Sequence, residues 1–169
     1  MNKIIFIFLV GIIGQTLAQS SAQEIFYSQQ VDKADKLAIA GNYAESMKIT
    51  QQILEVFPDH LGANAIHAFN LINLGNASSA KVNIATGLQV DPTFYPLYYC
   101  LAYQSMAEGN GDQARVALTQ AIQYGPDQMN LPEVKSEFEA AGKSIGQDSA
   151  LKNLFEWYQQ TFSKQKRIS

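Results

Sequence analysis

Chemistry in this chain would have to start from very few side chains. The only histidines, His60 and His67, stand seven residues apart, with Asp59 beside the first. Imidazoles and a carboxylate are zinc donors, but a closed site needs further ligands and Asp59 is the only acidic residue at hand. Cys100 is the single cysteine, so no intramolecular disulfide can form. Within Leu97-Tyr98-Tyr99-Cys100-Leu101 it has no basic neighbour to hold it as a thiolate, and it reads as a small buried hydrophobe. Asn110-Gly111-Asp112 echoes a calcium loop but lacks the spaced acids and the closing Glu. Asn76-Ala77-Ser78 is a formal glycosylation acceptor that a turn explains equally well. No Gly-x-Ser-x-Gly elbow, His-Glu-x-x-His pair or phosphate-cradling glycine loop occurs. The expectation is a protein without catalytic residues, metal or cofactor.

What remains is a question of scaffold. The 169 residues suffice for one domain or one short array, and 47% apolar with 16% charged residues describes a chain that folds in water. Residues 1–18 have the grammar of a secretory signal peptide. Lys3 precedes an apolar run over residues 4–13, and Thr16-Leu17-Ala18 offers a cleavage site, with Ala22 as a second. The run is shorter than the roughly 20 residues that span a bilayer, and no cysteine follows either cut to accept a lipid. The expected location is the periplasm in a double-membraned bacterium, and otherwise the exterior. Removing residues 1–18 takes away one charge, Lys3, and leaves the remainder more acidic than the whole chain's net −3. A basic nucleic-acid footprint is missing. The terminal Lys164-Gln165-Lys166-Arg167 reads as cations complementing the dipole of a last helix.

The scaffold itself is written as a repeat. Gly41-Asn42, Gly75-Asn76 and Gly109-Asn110 recur every 34 residues, and Pro58, Pro92 and Pro126 keep the same interval. Apolar residues return at three- and four-residue steps on both sides of each Gly-Asn turn. Ala65, Ala68, Phe69, Leu71 and Ile72 precede the second turn, and Ala80, Ile84, Leu88 and Val90 follow it. Each unit is therefore two antiparallel helices, and each proline ends the second.

On these residues the chain resembles the tetratricopeptide repeat (TPR) family, of an exported type. Ala34, Ala68 and Ala102 supply small residues where the first helices cross their partners, and Ala80 and Ala114, with Ser46 in the first unit, do so for the second helices. Tyr43 fits the aromatic that often follows the turn. Gln30 and Asn64 depart from the bulky residue usual early in the first helix, where Tyr98 fits, and Ile53 and Gly87 depart late in the second helix. The resemblance implies an all-α, right-handed helix-turn-helix solenoid. A lead-in over residues 19–26 precedes three units at 27–60, 61–94 and 95–128, and residues 129–169 form a degenerate fourth unit with a capping helix. In that last stretch Ser136 keeps the small position, but Lys143 and Gln160 replace the turn glycine and the proline. Leu151, Leu154, Phe155, Tyr158 and Phe162 form an oily stripe that would close the array.

In such a solenoid the first helices line the hollow side. The family's groove positions fall on Val31, Asp35, Ala38 and Ile39, then Ala65, Phe69, Ile72 and Asn73, then Tyr99, Tyr103 and Met106. The resemblance thus implies a protein–protein interaction module, an adaptor, assembly factor or scaffold that takes a peptide or partner helix. Its partner-binding residues would be Asp35, Phe69, Asn73, Tyr99, Tyr103 and Met106, with the aromatics as anchors. The Lys/Asn/Arg clamp by which some members read acidic C-termini is absent, since Val31, Asp35, Ile66, Pro96 and Cys100 stand in its places. Two alternatives stand beside this reading. One is self-association through Trp157, Tyr158 and Phe162, and the other is a glycan or small molecule held by Asp35, Tyr99 and Tyr103.

Overall fold

The computed structural model describes residues 23, 25–129, 156–157 and 160–161. The signal peptide expected over 1–18, and most of the lead-in and of the fourth unit, lie outside the described residues. The described chain is helical: α1 (residues 25–39), α2 (Tyr43–Val56), α3 (Leu61–Asn73), α4 (Ala77–Val90), α5 (Tyr95–Ala107), α6 (Gly111–Tyr124) and the short α7 (Pro126–Met129). No strand occurs among the described residues.

The three Gly-Asn turns are copies of one device. Gly41, Gly75 and Gly109 have φ of 78°, 82° and 74°, a left-handed conformation that glycine adopts without penalty. Each glycine amide reaches back three residues, to the carbonyls of Ala38, Ile72 and Met106, at 3.0 Å in every case. Each following asparagine amide reaches back five, to Leu37, Leu71 and Ser105, at 2.8 Å. This paired closure satisfies carbonyls that a helix end leaves orphaned, and it reverses the chain for the next helix.

The small residues do what the spacing predicts. Ala34, Ala68, Ala80, Ala102 and Ala114 are fully buried where the helices cross. At Gly87 a side chain would strike Leu97, which is itself fully buried and fills that space from the next unit. One core cluster gathers Ala68, Ala80, Ile84 and Cys100, and a second gathers Ala102, Met106, Ala114, Ala117, Leu118, Ala121 and Met129. Trp157 packs on the second cluster.

The departures from the family pattern also have structural jobs. Asn64 is buried and its side-chain amide donates to the carbonyls of Pro58, at 2.8 Å, and His60, at 3.1 Å. One repeat later the Tyr98 hydroxyl donates to the carbonyl of Pro92 at 2.9 Å. A small amide and a large phenol thus tie successive repeats to the same backbone group.

Helix contacts give the array its curvature. Helix α3 packs on α5, whereas α4 makes no comparable contact with α2 or α6. First helices that touch while second helices splay put the hollow on the α1, α3, α5 side.

Candidate binding face

The residues of that hollow recur with the repeat. Asp35, Phe69 and Tyr103 hold one register position on successive first helices, and Ile39, Asn73 and Ala107 stand one helical turn further on. Asp35 and Asn73 are exposed, and Phe69, Tyr99 and Tyr103 are half-buried. Ile39 is 78% exposed, an aliphatic side chain almost entirely in water.

Each aromatic is anchored on one flank. Phe69 packs on the cluster around Ala68 and Ile84, and the ring of Tyr43 meets it edge-on at a centroid distance of 6.0 Å. Tyr99 and Tyr103 pack on the third-repeat cluster, their centroids 4.9 Å apart and their hydroxyls 3.3 Å apart. Asn73 donates its side-chain amide back to the Phe69 carbonyl at 2.9 Å. Met106, expected to reach a partner, is only 2% exposed and belongs to the third-repeat core. The reason is helical geometry, since Met106 lies three residues beyond Tyr103 and falls on the flank that faces α6. Ala38 and Ala65, also on the expected groove, are buried as well.

Tyr95 belongs to this face and was not among the expected residues. It sits one turn before Tyr99, half-buried, on the same core cluster. Burial, and secondarily the charge of Asp35, raise its hydroxyl above the ordinary tyrosine value. That coupling places Asp35 of α1 within electrostatic reach of the first residue of α5. The carboxyl of Asp35 is itself raised, mainly by partial burial and then by the neighbouring Asp32. Spacing alone could have found Tyr95, because Tyr95, Tyr99 and Tyr103 form an i, i+4, i+8 row.

The histidines serve the scaffold. His60 Nδ1 accepts from the Ala63 amide at 3.3 Å and caps α3. His67 Nδ1 lies 2.8 Å from the Thr50 hydroxyl between the first two repeats, and burial lowers its pKa. Cys100 is buried with its sulfur 3.5 Å from the Ala65 carbonyl. Among the described residues no group of three or more His, Cys, Asp or Glu side chains could hold a metal ion. No described helix is long and apolar enough to cross a membrane.

No family model and no curated protein matches this sequence. Among solved structures, the chain is similar to the NMR structure of the first TPR domain of the human RPAP3 protein. The identity is 13% and the TM-score 0.56, over 70% of this chain and 91% of that one. At that identity the likeness concerns the fold alone, a TPR-like helical solenoid.

Proposed function

We propose that this protein is an exported protein–protein interaction module whose concave face holds a peptide or partner helix, as an adaptor, assembly factor or scaffold does. The observation that carries the reading is the row of half-buried rings, Phe69, Tyr99 and Tyr103, flanked by exposed Asp35 and Asn73. Rings fixed on one flank by the core lose little conformational freedom on binding, and their other flank offers large amphipathic area. Export rests on the leader grammar of residues 1–18. A non-enzymatic role rests on the want of a catalytic motif in the sequence. Trp157 packs on its own chain's third repeat, which favours a capping role for the C-terminal stretch over docking on a second copy.

The test is affinity capture from the native host with the wild type and a Phe69→Ala/Tyr103→Ala variant shown by circular dichroism to be folded. Loss of one protein from the variant's eluate is the expected result. Identical eluates would move binding off the concave face.

A further inference from the structure

The concave face has a distinctive charge pattern. Among the residues at the groove positions of the three repeats, Asp35 is the only charged one. It is exposed, and no hydrogen bond or ion pair joins it to another described residue; the described ion pair, Lys81 with Glu108 at 2.9 Å, joins α4 to the end of α5 instead. Facing the same hollow is the row Tyr95, Tyr99 and Tyr103, whose rings share one core cluster. An exposed carboxylate on the same hollow as a row of tyrosines, within electrostatic reach of Tyr95 and with no lysine or arginine of the chain at the groove positions, is complementary to a cation. Rings attract cations through their faces, and a partly desolvated carboxylate gains by pairing. The same pattern repels acidic ligands, in keeping with the net negative charge of the whole chain.

We propose that the concave face selects a peptide carrying a lysine or arginine, whose cationic head sits between the carboxylate of Asp35 and the rings of Tyr95, Tyr99 and Tyr103. The partner is then an extended or helical segment with one basic residue among apolar ones, the apolar neighbours lying toward Phe69. The inference rests on the peptide-binding reading above and adds the chemistry of what is bound. Burial, and then Asp32, raise the carboxyl of Asp35, and a docked cation would favour its ionised form and bring that value down.

The experiment pans a random phage-displayed peptide library against the folded protein, its Asp35→Asn variant and the Phe69→Ala/Tyr103→Ala variant. The wild type is expected to enrich sequences containing Lys or Arg, and Asp35→Asn to lose that preference while keeping its melting temperature or gaining in it. For one selected peptide, replacing the basic residue by norleucine should weaken binding about tenfold to the wild type and little to Asp35→Asn. Peptides that depend on Phe69 and Tyr103 but show no basic preference would overturn this inference and leave the binding reading standing. Failure to select any peptide that depends on those two rings would overturn both.

Discussion

The Ser46 hydroxyl donates to the Ala34 carbonyl at 2.7 Å and accepts from the Asn70 side-chain amide at 2.8 Å, joining three helices of two repeats through one buried oxygen. Ala80 and Ala114, both fully buried, hold the matching positions in the later repeats. The first interface is therefore specified by a polar link and the second by apolar packing.

Ser46→Ala, although alanine stands at the matching positions of the later repeats, is expected to destabilise the fold by about 1–3 kcal/mol, because it strips the buried Asn70 amide of its acceptor. The Asn70 oxygen already has no partner in this structure. Adding Asn70→Leu should recover part of the loss, since replacing both partners removes the stranded group. Chemical denaturation of the single and double variants measures this. A wild-type midpoint for Ser46→Ala would mean that the link contributes nothing.

Gly75 has φ 82° and no atom within 4 Å of where a Cβ would stand, so space is not what forbids a side chain there. Gly75→Ala should cost about 1–2 kcal/mol from the left-handed conformation alone, and Gly75→Asn less, because asparagine tolerates that region. Thermal unfolding of the pair checks the order, and equal losses would point to another cause.

Gly125 presents the opposite case, with an ordinary φ of −140° and the Tyr95 ring directly above it. A Cβ there would come within 2.5 Å to 2.9 Å of three ring atoms. Gly125→Ala is expected to displace Tyr95 and to cost about 1–3 kcal/mol as an overpacked contact. Denaturant midpoints together with the Tyr95 ring resonances in NMR spectra report both effects. A neutral substitution with an unmoved ring would contradict the packing described here.

The period of 34 residues made the helix pairs and the turns legible, because glycine φ and helical spacing are local constraints. The Ser46–Asn70 link was not, since it pairs residues 24 positions apart whose types look ordinary in isolation. Asn64 looked like a lapse from the pattern, yet it performs the backbone tie that Tyr98 performs one repeat later. On the first helices, register does not tell a side chain that emerges from one that sinks into the core. Met106 and Tyr103 lie within one turn, yet Met106 is buried in the cluster it shares with α6.

Asp35 gives a pH signature. Burial and Asp32 raise its carboxyl in the folded state, so the folded protein holds protons more tightly there than the unfolded chain does. Its contribution to stability is therefore favourable at low pH and is lost as pH rises through the carboxylate range. Asp35→Asn should raise Tm at neutral pH, and the gain should vanish below the ordinary aspartate value of about 3.9. A Tm difference that does not change between neutral and strongly acid solution would contradict the assignment.

The most direct test of the concave-face account is site-specific photocrosslinking in the native host. A photoreactive residue replaces exposed Asn73 in one strain and Val116, 61% exposed on the outer helix α6, in another. The expected result is a discrete crosslinked partner from position 73 and none from position 116; a partner captured only from position 116 would place binding on the convex side and contradict the account.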